Sequence, residues 1–250
     1  LIISQGKYLE ENYPEYFYPE FKYYFNKSMC EKIDSEMIDI DQLEFKEKRE
    51  AGENDKYVCR LIQNDSIDDF IVYVNRNNLS LNNSIITPTI FETNSFLLKR
   101  KEQTLIEYAT FFGSFQIFKY LQLNNVDLSP SLWLYAIHGQ NPELIHILEE
   151  CHVYPKDKTY IECYLESVKC HHIDFMNYIL ENYYDIENKE NILVFPLFYN
   201  FFSISDQFTS FDHNNFYYFC KYDYYTIVKF FVKNKLIDLN SKKVSNIFFL

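Results

Sequence analysis

Thr104 to Leu121 reads TLIEYATFFGSFQIFKYL, and Ser131 to Leu148 reads SLWLYAIHGQNPELIHIL, one apolar pattern written twice 27 residues apart. Only three alanines occur in the chain, and two of them, Ala109 and Ala136, hold the matching position in these phrases. Each follows a tyrosine and precedes, by eight residues, Ile117 or Leu144. So rare a residue recurring in register implies a repeated steric demand: a small side chain where two helices nearly touch. Self-similarity at a fixed period predicts stacked helical pairs.

Two further phrases carry the pattern. CYLESVKCHHIDFMNYIL (163–180) puts Ser167 at the alanine position, with Phe175, Met176 and Ile179 as its apolar stripe. NFYYFCKYDYYTIVKFF (215–231) supplies Ile227, Val228 and Phe231, although Phe219 fits the small-residue position poorly. A more degenerate unit opens at YVCRLIQN (57–64), turns at DSIDD, and continues as FIVYV (70–74). Ser66 and Asp69 form an expected capping pair there. Asn141-Pro142-Glu143 is a stronger start signal, a favoured N-cap followed by proline at the first helical position. Repeat units are therefore placed near 57–75, 104–123, 131–150, 160–182 and 215–234, with a truncated unit at the C-terminal end. Residues 75–103 read as a long connection or finger. Residues 183–214 are an interruption that could hide a degraded copy around Ile192 to Phe202.

Residues 1–55 lack the phrase. Met29, Ile33, Met37 and Ile40 fall at helical spacing, a charged run follows, and Gly52 with Asn54 marks a break. This predicts a helical N-terminal segment (1–55) ahead of an array spanning 56–250.

Composition limits the functions open to the chain. A net charge of −12 opposes nucleic acid and anionic membrane surfaces, both of which are held through Lys and Arg. Ile192 to Phe202 is about half the ~20 residues a membrane span requires and contains Pro196. No membrane association is expected. Six cysteines without regular spacing read as reduced thiols, and no secretory pattern opens the sequence. A cytoplasmic or nuclear location follows as the expectation. Opening on Leu1, the sequence reads as a fragment or as lacking its initiator region.

With these residues in view, TLIEYATFFGSFQIFKYLQLNNVDL resembles an ankyrin repeat. In that likeness Thr104 opens the first helix, Ala109 packs, Gly113 turns, and Val126-Asp127-Leu128 matches the trailing segment. TIVKFFVKNKLIDLN (226–240) resembles an ankyrin ending, and 104–150 resembles more narrowly the large ankyrin families of parasitic flagellate protists. The likeness covers roughly residues 57–240. Ankyrin units run ~33 residues, whereas Ala109 to Ala136 spans 27, so the β-hairpin finger is expected to be short or absent. The resemblance implies an all-α ankyrin-type solenoid that binds an unidentified protein partner, is not an enzyme and needs no cofactor. It also implies where binding occurs: at the ends of the first helices, Phe111 and Phe112, His138 and Gly139, Lys169 and Cys170. Phe111 or Phe112 could equally pack against a neighbouring unit or the 75–103 connection.

Chemistry has one competing cluster: Cys151, His152, Cys163, Cys170, His171 and His172. Cys and His bind zinc tetrahedrally, but no C-x₂-C pair is present, and Cys163 and Cys170 stand two helical turns apart. No metal is expected. The rival functions are a zinc-binding module built on 151–172 and an adaptor that recruits other machinery through residues 1–55. No phosphate loop exists among the four scattered glycines, and no nucleophile–base pair has a supporting motif.

Overall fold

The computed structural model describes residues 27–36, 42–156, 158–183, 220 and 225–234. Expectations for residues 1–26, for Met37 and Ile40, for the interruption at 183–214 beyond Tyr183, for the opening of the phrase at 215–231, and for the C-terminal unit after 234 lie outside them. The chain is mostly helical and divides into two compact units, Leu1–Val153 and Tyr154–Leu250. Among the described residues no helix is long and apolar enough to cross a membrane.

The first unit contains α1 (Lys27–Glu36), α2 (Gln42–Ala51), α3 (Tyr57–Gln63), α4 (Ile67–Arg76), β1 (Ile85–Ile86), α5 (Ser95–Arg100) and β2 (Gln103–Thr104). It continues through α6 (Leu105–Phe111), α7 (Phe115–Leu123), α8 (Leu132–Gly139) and α9 (Pro142–Glu150). Four helix pairs are predicted by the phrases up to residue 182. The described residues supply them as α3–α4, α6–α7, α8–α9 and, in the second unit, α10 (Ile161–Lys169) with α11 (Ile173–Asn182).

Three pairs turn in the same way. In α3–α4 the Leu61 carbonyl accepts from the Ser66 N–H, and the Ile62 carbonyl from the Asp65 N–H, both at 2.9 Å. Ala109 with Ser114 (2.9 Å) and Thr110 with Gly113 (3.2 Å) repeat this in α6–α7. Ser167 with His172 (2.9 Å) and Val168 with His171 (3.1 Å) repeat it in α10–α11. Such crossed bonds satisfy the orphan carbonyls at a helix end and require one left-handed residue. Asp65 (φ 49°), Gly113 (66°) and His171 (59°) provide it, and Gln140 (50°) holds the corresponding place after α8.

Within the first unit, α6 packs between α3 and α8, while α4 packs on α7. Ala109 and Ala136 are fully buried, as the register predicts. Ile117, Phe118 and Leu121 on α7 and Leu144, Ile145 and Leu148 on α9 are buried with them. Each such side chain contributes roughly 1.5–3 kcal/mol by leaving water. Trp133 is 1% exposed and donates its indole N–H to the Val153 carbonyl at 2.7 Å.

Two local expectations need correction. Ser66 is the N-cap of α4, but its side chain makes no capping bond. The neighbouring Asp65 turns its carboxylate to the next pair instead, accepting from the Gln116 and Ile117 N–H groups at 3.0 and 2.9 Å. Pro130, whose fixed φ predicts a helix start, does not begin one, because α8 starts at Leu132. Ser131 is held there by its hydroxyl, which donates to Glu107 Oε1 at 2.6 Å. The stretch from Asn124 to Ser131 contains no strand, in keeping with the missing finger.

The 75–103 connection is ordered. Ile85 pairs with Thr104 and Ile86 with Gln103 in a two-residue antiparallel ladder. Asn94 caps α5, accepting from the Phe96 N–H at 2.9 Å. The N-terminal region holds the rest of it. Thr93 donates to the Gly52 carbonyl through N–H (3.1 Å) and hydroxyl (2.8 Å), Asn54 donates to the Thr87 carbonyl at 2.9 Å, and Phe45 meets Phe91 edge-on at 5.3 Å. The break near residue 55 is thus a turn, and α2 belongs to the first unit.

In the second unit α10 packs on α11. Ser167 is fully buried and returns its hydroxyl to the Tyr164 carbonyl at 2.7 Å. Met176 and Ile179 are buried, and Phe175 half-buried. Of the last phrase, α12 (Tyr225–Lys233) is described, with Phe231 buried and Val228 half-buried; Phe219 and the Ile227 side chain lie outside.

Candidate interaction edge at the first-helix ends

The C-terminal ends of α6 and α8 bring four of the six predicted binding residues together. Phe111 is the last residue of α6 and Phe112 its C-cap; His138 and Gly139 close α8. Phe111 stacks on the His138 ring with centroids 4.9 Å apart and meets Phe112 edge-on at 5.0 Å. Phe112 and His138 are half-buried, whereas Phe111 is 8% exposed. Phe111 is therefore a packing residue in this edge, and Phe112 is the ring left partly exposed.

What covers Phe111 comes from the connection. Phe96, on α5, lies 5.8 Å from Phe111, 5.0 Å from Tyr135 and 4.2 Å from His138, centroid to centroid. Arg100, one turn further along α5, sits 3.7 Å above the Phe96 ring and 5.3 Å from that of Tyr135. Cation–π contact of this kind holds a guanidinium against a ring face. Burial pushes the Tyr135 hydroxyl above its usual range, Glu107 adds to this, and Arg100 opposes it.

Backbones also converge here. The Asn141 side-chain amide donates to the Gly113 carbonyl at 3.2 Å, while its oxygen accepts from the Glu143 N–H at 3.1 Å. Thr104 and Glu107 cap each other at the start of α6, as the opening position of the phrase predicts.

Lys169 and Cys170 belong to the second unit. Lys169 is exposed and donates to Glu166 on its own helix at 2.9 Å. Cys170 is half-buried, and burial pushes its thiol up to about 12. A thiol so raised is protonated at neutral pH and is a poor nucleophile. Cys59, fully buried in α3, is likewise pushed up to about 12 by burial.

The Cys/His residues of 151–172 are spread by the fold. Cys151 and His152 are exposed at the end of α9 in the first unit. In the second, Cys163 is buried in α10 while His171 and His172 form the turn, and among the described residues no three of Cys163, Cys170, His171 and His172 stand together as ligands for one ion.

Sequence reasoning missed Phe96, Arg100 and Tyr135. Asn94 followed by SFLLKR was the available signal, a cap ahead of a short apolar run. No family model, curated protein or solved structure matches this chain.

Proposed function

We propose that this chain is an ankyrin-type helical-repeat scaffold that binds a protein partner along the ends of its first helices and catalyses no reaction. The observation that carries the reading is the recurring turn. The carbonyls of Leu61, Ala109 and Ser167 each accept the same crossed bond at the close of a helix, and Ala109 and Ser167 hold the same position of the repeated phrase. That recurrence, with α6 packed between α3 and α8, supports a stack of equivalent pairs whose connection at 124–131 is too short for a finger. A stacked array offers an extended surface of turns and helix ends. Phe112, His138 and Gly139 form its most aromatic part here, and aromatic residues dominate the energetics of protein interfaces.

Photo-cross-linking tests this on the full chain, with the photoreactive residue introduced singly at Phe112, His138 or Lys169, and at Lys119 and Glu149 on the second helices. Partner adducts from the first three positions are expected. Adducts confined to Lys119 and Glu149 reject the proposed face.

A further inference from the structure

Lys99, Arg100 and Lys101 stand together in a chain whose net charge is −12. None of the three is ion-paired with a described residue. Elsewhere Lys48 is held by Glu44 at 2.8 Å and Asp55 at 3.0 Å, and Lys169 by Glu166, while Lys119 has a ring contact with Phe115 in place of an ion pair. Lys99 and Lys101 are exposed. Arg100 is fixed over Phe96, whose ring joins Phe111 and His138. The nearest acids do not neutralise the run. Glu107 is engaged by the Thr104 N–H at 2.9 Å and by the Ser131 hydroxyl, and Glu102 follows Lys101 as a single exposed carboxylate. The negative end of α5 suits cations in its last turn, yet it leaves their outward N–H groups without a carboxylate.

We infer that this part of the edge takes an acidic segment of the partner protein, one that carries an aromatic residue. The inference rests on the scaffold reading and adds the partner's chemistry to it. Carboxylates would pair with the three cations, Arg100 offering the planar fork that suits them, while the partner's ring would lie on the Phe112 and His138 side of the cluster. The overall negative charge does not forbid this, because beyond ~8 Å at physiological ionic strength it is largely screened.

The probe is a fluorescein-labelled random copolymer of glutamate and tyrosine, titrated by anisotropy against the full chain, with polyglutamate alongside. Binding that favours the copolymer and weakens with added salt is expected. Joint charge reversal, Lys99→Glu with Lys101→Glu, should reduce affinity by about tenfold and leave the thermal midpoint unchanged. Phe112→Ala should abolish the preference for the copolymer over polyglutamate. No binding at low salt, or equal binding by the reversed variant, overturns the inference. So does an oligothymidylate that binds more tightly than the copolymer and is lost on the same reversal. A partner cross-linked at Phe112 through a basic or neutral segment would leave the scaffold standing and remove this inference alone. Copolymer binding lost on charge reversal, with no cross-link from any first-helix end, would do the opposite.

Discussion

The carbonyl of Gly139 occupies the space that a Cβ on Gly113 would need, and a Cβ on Gly139 would run into the carbonyl of Thr110. The ends of α6 and α8 therefore meet backbone to backbone, with both glycines required by space. Gly113 is additionally favoured by its left-handed φ of 66°. Gly113→Ala and Gly139→Ala should each destabilise by about 1–3 kcal/mol through overpacking, read as a lower thermal midpoint. Gly113→Asn separates the two causes, since asparagine tolerates the left-handed region but still carries a Cβ. It should still be clearly destabilised, and near-wild-type stability in that variant would reject the close-approach account.

Ala136 makes the same demand one layer deeper. It is fully buried, and α8, the helix that carries it, packs on α6. Ala136→Leu adds three heavy atoms where none fit, at a cost of about 1–3 kcal/mol or more. An unchanged midpoint would mean that the repeat register is wrong.

Asp65 connects two helix pairs that lie far apart in sequence. Its carboxylate receives the Gln116 and Ile117 N–H groups at the start of α7, while Ser114 returns its hydroxyl to the Ile62 carbonyl at 2.5 Å. Asp65→Gly keeps the left-handed turn and removes only the cap, so it should cost about 0.5–2 kcal/mol. Hydrogen exchange should show the loss first at the N-terminal turn of α7. Uniform loosening of the whole unit would contradict a local capping role.

These relationships also explain what the sequence could and could not reveal. Ala109 and Ala136 were legible because alanine is scarce and both sit in matching apolar phrases. Asn141-Pro142 was legible because a cap is local chemistry. Asp65 was not, since its partners lie 51 and 52 residues away and Ser66 beside it offered the familiar capping pattern. Gly139 looked like an ordinary helical residue, its necessity arising only when a second backbone is laid against it. Phe96 and Arg100 fell in a polar, proline-containing stretch whose single short helix carries too few apolar positions to display a period. The site was thus readable where one helix determines it and hidden where the connection folds back.

Glu92 gives the last prediction, and it concerns pH. The side chain is 4% exposed. One carboxylate oxygen accepts from the Asn94 N–H at 2.8 Å, and the other is buried without a hydrogen-bond partner. Burial raises its pKa above the usual carboxylate range; the Asn94 N–H opposes the shift without cancelling it, and Glu53 adds to it. A carboxyl with a raised folded-state pKa binds its proton more tightly in the folded chain than in the unfolded one. Stability therefore falls as pH rises from the unfolded value, about 4.3, through the higher folded value, and the full penalty is present above it. Glu92→Gln removes the ionisation while keeping an acceptor for Asn94. Thermal midpoints measured from pH 4 to pH 8 should show the variant gaining on the wild type as pH increases. A difference that stays constant, or narrows with rising pH, would show that Glu92 is not protonated preferentially in the fold.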